Sequence, residues 1–251
     1  MIVPYHCRML YNAQLMNALI LAGGFGTRLK EVIHDRPKVM APINGRPFSE
    51  YVLVMLHRHG ITDVVISTGY LGEYVTSYFA GGEKLGLRIR YSDEPRPLGT
   101  GGALKAAQRF LRGSTFLILN GDTYLDTDIA RLVAFHRSRK SQLTVALARR
   151  LRAQSGAAVQ LGKNSEIQSI AAAPAGRGQC WVNAGLYVVE PEIFSFVGRG
   201  RVSLESDVFP LLAKRGLLFG YRIREDFIDI GTPQEYEQAK AFLTHEYTGA
   251  H

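Results

Sequence analysis

The feature that most constrains the fold is a regular alternation of strand-like and helix-like segments that begins at Asn17. Apolar runs such as Val64-Val65-Ile66 and Phe116-Leu117-Ile118-Leu119 are continuous, which is typical of strands buried on both faces. Strand–helix–strand order favours parallel strands, so we predict an α/β fold with a mostly parallel central sheet covered by helices on both faces. The first half is predicted to form strands at 17–22, 62–68, 87–91 and 115–120 and helices at 47–59, 71–80, 101–111 and 127–139.

After residue 140 the pattern changes to mostly strands, which we expect to extend and cover the first half. A chain of 251 residues with 46% hydrophobic content can bury the core of one large domain. No linker or repeat divides it, so we predict a single domain at 16–245, an extension at 1–15 and a tail at 246–251. The later strands are predicted at 143–148, 156–161, 182–189, 217–223 and 227–230, and a helix at 232–244.

Charge and composition narrow the classes of partner. The net charge of +8 favours anionic ligands, but the arginines are scattered without a dense basic run, so we expect phosphorylated small molecules and no nucleic acid. No apolar run approaches the roughly 20 residues that span a bilayer, and no signal peptide is recognisable, so we expect a cytoplasmic protein without membrane contact. Cys7 and Cys180 lie far apart and are expected to be reduced thiols.

The first candidate site is the loop Leu21-Ala22-Gly23-Gly24-Phe25-Gly26-Thr27-Arg28-Leu29, which follows the first strand. In open α/β sheets the ligand lies beyond the carboxyl ends of the strands. Glycines let backbone N–H groups approach a phosphate, and Arg28 adds a permanent charge, so the loop predicts a triphosphate cradle. A turn that needs glycine for steric reasons alone is the alternative. The dinucleotide fingerprint GxGxxG is incomplete, because Leu29 stands where its last glycine would be. A Walker loop is also excluded, because Leu104 stands at the position of its second glycine.

Two aspartates follow apolar strands elsewhere in the chain. Asp122 lies in Leu119-Asn120-Gly121-Asp122-Thr123, and Asp229 lies in Phe227-Ile228-Asp229-Ile230-Gly231-Thr232-Pro233. Magnesium is typically held by one or two carboxylates together with substrate phosphates. The pair therefore predicts a Mg²⁺ site, with capping or turn roles as the alternative for each acid.

A third loop, from Glu94 to Ala103, is rich in proline and glycine and predicts close approach of a flat base. An ionised carboxylate only accepts hydrogen bonds. Guanine presents two adjacent donors, whereas uracil and thymine present one donor between two carbonyls. Glu94 thus favours guanine if it faces the base, and it is a solvated loop acid if it does not.

Taken together, these residues resemble the sugar-1-phosphate nucleotidylyltransferases, whose hallmark is the L-A-G-G-x-G-T-R-L loop followed by a lysine after a proline, here Arg36-Pro37-Lys38. The resemblance covers about 17 to 245. It is greatest for bacterial guanylyltransferases of D-glycero-α-D-manno-heptose 1-phosphate, through Pro-Leu-Gly-Thr-Gly-Gly-Ala, Asn-Gly-Asp-Thr, 182–185 and Ser203-Leu204-Glu205. Mannose-1-phosphate guanylyltransferases and N-acetylmuramate-1-phosphate uridylyltransferases share many of these loops and remain alternatives.

The resemblance implies a Rossmann-like, GT-A-like nucleotidyltransferase fold. It also implies an enzyme that binds GTP, a sugar 1-phosphate and Mg²⁺ and whose product is used in capsule, S-layer or lipopolysaccharide synthesis. It implies catalytic roles for Arg28, Lys38, Asp122 and Asp229, with both aspartates on the metal. The implied nucleotide-binding residues are Leu21, Ala22, Gly23, Gly24, Gly26, Thr27, Glu94, Gly99, Thr100, Gly101 and Gly121. The implied sugar-binding residues are Asn120, Asn183, Gly185 and Glu205.

One departure from the family pattern concerns the sugar phosphate. Many relatives carry Glu-Lys-Pro after the middle strand, with the lysine on that phosphate, whereas this chain has Ala172-Ala173-Pro174. Either Arg177 or Lys163 replaces the lysine, or the phosphate is held differently.

Several alternatives stay open at this stage. A catalytically silent nucleotide-sugar sensor and a nicotinamide-dependent dehydrogenase are the other functional classes. Phe48, Trp181 and Tyr187 are expected in the core rather than around the sugar. A homodimer is a possible assembly, with Phe194 and Phe196 in the core, at an interface or in neither.

Overall fold

The computed structural model describes residues 16–24, 26–29, 32–111, 113–151, 157–172 and 178–244. The predicted extension, the predicted tail, Cys7, Ala173, Pro174 and Arg177 lie outside the described residues, and the single-domain assignment stays a prediction. The strands are β1 Asn17–Leu21, β2 Pro42–Ile43, β3 Arg46–Pro47, β4 Asp63–Thr68, β5 Arg88–Asp93, β6 Phe116–Asn120, β7 Thr123–Leu125, β8 Leu143–Leu151, β9 Ala157–Leu161, β10 Ile167–Ala172, β11 Gln179–Val189, β12 Leu218–Arg222 and β13 Phe227–Asp229. The α-helices are α1 Phe48–Arg58, α2 Gly72–Phe79, α3 Gly99–Ala106, α4 Ile129–Ser138, α5 Phe209–Lys214 and α6 Pro233–Phe242.

Nine of the described strands form one mixed sheet. Its main path runs β10-β9-β11-β6-β1-β4-β5, and β8 lies between β11 and β12. Strands β6, β1, β4 and β5 are parallel neighbours, whereas β11 is antiparallel to β6. This arrangement confirms the predicted mostly parallel sheet. The second half extends it through antiparallel pairs of β8, β9, β10 and β11 and through the parallel pair of β8 and β12.

The sheet separates two hydrophobic clusters, as expected because alternate side chains of a strand point to opposite faces. In β1, Ala18 and Ile20 belong to one cluster and Leu19 belongs to the other, and all three are fully buried. Apolar residues of α1, α2, α4 and α6 cover the first face, and those of α3 and α5 cover the second. Helices therefore cover both faces, as predicted.

Some elements differ from the sequence-based prediction. The strands β10 and β7 and the β2–β3 hairpin were not predicted. The predicted helix 101–111 begins at Gly99 and ends as a 3-10 helix, Ala107–Phe110. A π-helical turn, Leu204–Val208, precedes α5. No helix among the described residues is long and apolar enough to cross a membrane.

The aromatic side chains mostly occupy the core. Phe48 and Tyr187 are fully buried, as expected, but Trp181 is only partly buried, and its ring contacts the guanidinium groups of Arg149 and Arg222. Phe194 is buried against Phe116, and Phe196 is partly buried. The possible homodimer stays a prediction.

Candidate active site

A cleft opens at the carboxyl ends of β1 and β6 and has two adjoining compartments. We call them the Glu94 compartment and the Arg28 compartment, and their volumes are about 300 and 200 Å³. The Glu94 compartment is lined by Leu21, Gly23, Gly24, Glu94, Pro97, Gly99, Thr100, Ala103, Asn120, Asp122 and Arg201. The Arg28 compartment is lined by Leu21, Ala22, Gly24, Gly26, Arg28, Lys38, Val39, Asp122 and Gly231. Most residues predicted for the nucleotide therefore meet in one cleft.

The glycines of the first loop have different physical reasons for being glycine. A β-carbon on Gly23 would collide with the carboxylate of Glu94, whereas one on Gly24 would meet nothing within 4 Å. Gly26 adopts φ +58°, and a β-carbon there would lie 2.9 Å from Cβ of Lys38. Gly24 therefore leaves open space between the two compartments, where a bulky ligand can approach the backbone.

Arg28 and Lys38 bring positive charge to one compartment. Arg28 is exposed at the 3-10 helix Thr27–Leu29, and its Nη2 lies 3.9 Å from the position of a β-carbon on Gly231. Lys38 Nζ donates to Oδ2 of Asp122 at 2.7 Å, and the lysine side chain is only 12% exposed. The guanidinium of Arg28 forms no ion pair with the carboxylates that the structure describes. An anionic ligand in this compartment would meet both cations.

Asp122 lies in the turn just before β7, and Asp229 ends β13, which pairs with β7. In the β7–β13 pair Asp229 is opposite Thr123, and the N–H of Ile230 donates to the carbonyl oxygen of Asp122 at 3.0 Å. The Asp122 side chain is 38% exposed and lines both compartments. The turn and the short strand pair thus bring together two acids that are far apart in sequence.

The Asp229 carboxylate is held differently from that of Asp122. Its Oδ1 accepts from the Gly231 N–H at 3.0 Å, and its Oδ2 accepts from Arg150 Nη2 at 3.0 Å. Burial raises the pKa of Asp229, and the neighbouring Glu235 carboxylate acts in the same direction. Gly231 lines the Arg28 compartment, whereas Asp229 itself is not among the lining residues.

Asp122 and Asp229 are the carboxylates at this edge of the sheet that would hold a magnesium ion, since magnesium typically takes one or two protein carboxylates and leaves its other positions to water and substrate phosphates. The described residues contain no cluster of three or more potential metal ligands. Each oxygen of a carboxylate can accept more than one bond, so the hydrogen bonds to Asp229 leave its oxygens able to bind a cation.

Glu94 is brought to the cleft and fixed there. The Ser67 hydroxyl donates to Oε1 at 2.7 Å, and the Leu98 N–H donates to Oε2 at 3.3 Å. Ser67 is fully buried at the end of β4, and sequence reasoning did not single it out. A polar residue at the carboxyl end of an apolar strand was the available signal. Glu94 is partly buried against Gly23, so it is not simply a solvated loop acid.

Two glycines that were predicted to bind the nucleotide, Gly101 and Gly121, are not among the residues that line the cleft. The N–H groups of Gly101 and Gly102 donate to the Val202 carbonyl at 2.9 and 3.1 Å, and a β-carbon on Gly101 would lie 2.8 Å from Cγ1 of Val202. The N–H of Gly121 donates to the Leu21 carbonyl at 2.9 Å. Gly101 is packed against the side chain and carbonyl of Val202, and Gly121 against the Leu21 carbonyl and the Val39 side chain, so their contact with a nucleotide stays a prediction. Of the third loop, Gly99 and Thr100 line the Glu94 compartment.

Of the four predicted sugar-binding residues, only Asn120 lines the cleft. Asn183 accepts from the Gly185 N–H at 2.9 Å and donates to the Tyr187 hydroxyl at 2.8 Å. Gly185 has φ +71°, and a β-carbon there would lie 3.0 Å from the Asn120 amide nitrogen. Asn183 and Gly185 therefore do not line the cleft, and Gly185 packs closely against Asn120.

Glu205 is also one layer removed from the cleft. Its Oε2 accepts from the hydroxyls of Thr100 at 2.8 Å and Ser203 at 3.0 Å. Burial raises the pKa of Tyr187, and the nearby Glu205 carboxylate adds to this. Glu205 lines a separate cavity of about 290 Å³ between β10 and α5. It reaches the Glu94 compartment only through Thr100.

Arg201 and Lys163 complete the comparison with the sequence. Arg201 lines the Glu94 compartment, although the sequence argument gave it no role. Lys163 is exposed in the turn between β9 and β10, where Ser165 and Glu166 contact β12. It does not line either compartment, so its contact with the sugar phosphate stays a prediction.

Comparisons with known proteins identify the family of the chain. The family model for nucleotidyl transferases matches residues 17–246. The chain is 36% identical over 232 residues to a D-glycero-alpha-D-manno-heptose 1-phosphate guanylyltransferase of Aneurinibacillus thermoaerophilus, which covers 92% of this chain and 99% of that protein. A protein of the same description from Campylobacter jejuni is 35% identical, covering 88% of this chain and 97% of that protein.

Two further comparisons extend the picture. A mannose-1-phosphate guanylyltransferase of Mycobacterium tuberculosis is 33% identical over 91% of this chain and 64% of that protein. Among solved structures, HddC from Yersinia pseudotuberculosis complexed with GMP-PN has a TM-score of 0.81 at 28% identity, covering 91% of this chain and 100% of that chain.

Proposed function

The chain belongs to the nucleotidyl transferase family, and from this premise we propose that it transfers GMP from GTP to D-glycero-α-D-manno-heptose 1-phosphate and releases pyrophosphate. The observation that carries the choice of base is the Glu94 carboxylate, fixed by Ser67 beside Gly23 at the cleft wall. Its two oxygens match the two adjacent donors of guanine. The heptose is chosen because two relatives at 35 and 36% identity, each matched over nearly its whole length, act on it.

The proposed mechanism relies on charge and position. The phosphate oxygen of the sugar is already a nucleophile at neutral pH, so no general base is required. It attacks the α-phosphorus of GTP in line, and pyrophosphate leaves on the opposite side. Arg28 neutralises the leaving pyrophosphate, and Lys38 binds the phosphates at the level of Asp122. Repulsion between two anions is the main barrier, so these cations supply much of the catalysis.

Asp122 and Asp229 would hold the magnesium ion. When bound, the ion would neutralise phosphate charge and help to align the two substrates. Asp122 already lines both compartments, which supports its role at the junction of nucleotide and sugar phosphate. Asn120 and Arg201 are the described polar residues of the Glu94 compartment that remain for the sugar 1-phosphate. A cytoplasmic location fits a reaction that consumes GTP, and GDP-heptose would supply capsule, S-layer or lipopolysaccharide synthesis.

A pyrophosphate-release screen tests the proposal. The four nucleoside triphosphates are crossed with the 1-phosphates of heptose, mannose, glucose and N-acetylhexosamine. We expect the highest kcat/KM for GTP with the heptose substrate. Release with GTP and mannose 1-phosphate alone would favour the second candidate, which the 33% identical mannose-1-phosphate enzyme supports. A preference for UTP would refute the role of Glu94, and GTP binding without any release would indicate a silent sensor.

A further inference from the structure

The end of β8 carries two adjacent arginines with different surroundings. Arg149 is exposed and stacks on Trp181, with its Cζ 5.1 Å from the ring centroid. Arg150 points to the opposite face of the sheet and is 20% exposed, with its Cζ 4.4 Å from the Phe227 ring centroid. Phe227 lies two residues before Asp229 on β13 and therefore on the same face of that strand. The ring thus fixes the guanidinium beside the proposed metal ligand.

The guanidinium of Arg150 bridges two carboxylates. Its Nη2 donates to Oδ2 of Asp229 at 3.0 Å, and its Nη1 donates to Oε1 of Glu235 at 3.1 Å. Glu235 is fixed independently, because its Oε2 accepts from the Thr232 hydroxyl at 3.0 Å at the start of α6. One charged fork with fixed geometry therefore links the helix terminus to Asp229.

Without this bridge the two acids would face each other with no cation between them. Like charges repel, and the Asp229 side chain would be free to turn away from the cleft. With the Arg150 bridge in place, Oδ1 of Asp229 accepts a hydrogen bond from the N–H of Gly231, which itself lines the Arg28 compartment. We propose that Arg150, supported by Glu235, is a positioning residue that holds Asp229 in place as the second magnesium ligand. This inference rests on the metal site of the proposed function.

The expected effect is on metal affinity. Replacing a residue that orients a metal ligand typically weakens metal binding by about 10- to 100-fold. Arg150→Gln removes the charge between Asp229 and Glu235, whereas Arg150→Lys keeps a charge but loses the fork. We expect the glutamine variant to lose about 10- to 100-fold in affinity and the lysine variant to lose less. Arg149→Gln, on the same strand but the opposite face, is the matched control and should bind metal like the unaltered protein.

The test uses the full chain loaded with GMP and titrated with Mn²⁺, whose free ion is followed by electron paramagnetic resonance. In parallel, the Mg²⁺ concentration that gives half-maximal pyrophosphate release is measured at saturating substrates. We expect the half-maximal Mg²⁺ concentration of Arg150→Gln to rise in parallel with the Mn²⁺ dissociation constant, and its rate to recover at high metal. A structural defect alone would lower the maximal rate without moving the metal dependence.

Circular dichroism shows whether each variant is folded, and if Arg150→Gln is not, Arg150→Lys decides the outcome. Mn²⁺ affinity that is unchanged in the folded Arg150 variant would overturn the inference, as would an equal loss in Arg149→Gln. Absence of Mn²⁺ binding by the unaltered protein would remove the metal site and the inference with it. If the substrate screen fails but the variants still differ in Mn²⁺ affinity, the proposed reaction is refuted and the positioning role of Arg150 still holds.

Discussion

Replacement of Glu94 by glutamine tests base recognition with almost no change in side-chain size. In the structure, Oε1 accepts from Ser67 and Oε2 accepts from the Leu98 N–H. If the new amide oxygen keeps the 2.7 Å bond to Ser67, its NH₂ group faces both the Leu98 N–H and the donors of guanine. One acceptor is then lost and a donor meets a donor. In the other orientation the NH₂ group opposes the Ser67 hydroxyl hydrogen, so the serine must turn.

The loss can be estimated from this geometry. A hydrogen bond to a charged group contributes about 1.5–3 kcal/mol, so removal of one should lower kcat/KM for GTP by roughly 10- to 150-fold. The rate with UTP should stay constant or rise, because uracil carbonyls accept from an NH₂ group. Steady-state pyrophosphate release with each nucleotide at saturating sugar phosphate measures both values. Asp93→Asn is the matched control, because this exposed neighbour bonds only to Thr68 among the partners described. An equal loss for GTP and UTP would contradict the assignment.

Three further perturbations probe the cations, the metal and the core. Arg28→Ala should lower kcat by about two to four orders of magnitude, because it removes a donor that stabilises charge in the transition state. Arg36→Ala breaks only a surface ion pair and should leave kcat within roughly twofold of the unaltered protein. Similar kcat values in the two variants would count against the role of Arg28. Asp122→Ala should abolish magnesium-dependent release with an unchanged circular dichroism spectrum, and retained metal dependence would remove it from the site. The His136 hydrogen bond lowers the pKa of Glu190, so its contribution to stability is present above about pH 4.5 and is lost as pH falls through the lower pKa of the folded state. Thermal unfolding of Glu190→Gln should therefore depend less on pH below 4.5 than that of the unaltered protein, and identical pH profiles would refute this.

The parts of the fold that sequence predicted well are those that local pattern determines. The four parallel strands were located within two residues of their observed bounds. In β1, β4 and β6 the signal is a continuous apolar run that is buried on both faces, whereas β5 alternates polar and apolar residues and is only partly buried. The strand β7 was missed because its three residues are too few to show a period. It exists because β13, about a hundred residues later, pairs with it. That pairing also sets the relative positions of Asp122 and Asp229, so the sequence could propose two acids but not how each is held.

The glycines show a second limit of the same kind. Gly24 and Gly101 look alike in sequence, since each lies in a glycine-rich loop after a strand. In the structure, Gly24 faces open space at the junction of the two compartments, whereas the space beside Gly101 is filled by Val202. The difference comes from the 200–202 segment, which is remote in sequence. The backbone of Val202 accepts hydrogen bonds from the N–H of Gly101 and donates one to the carbonyl of Leu98. A small residue indicates that something approaches closely, but only the fold decides whether that neighbour is a ligand or the protein itself.

The bridge from Arg150 to Asp229 and Glu235 also depends on contacts between residues that are remote in sequence. The prediction treated both aspartates as equivalent, because each ends an apolar strand and precedes a turn. Their neighbours make them unequal. Asp122 is paired with Lys38, a cation that itself lines the cleft, so an incoming phosphate can share that charge. Asp229 is paired with Arg150, which also serves Glu235 and is 20% exposed, so its charge is committed to holding the acids. Loss of Lys38 should therefore mainly weaken phosphate binding, whereas loss of Arg150 should mainly weaken metal binding.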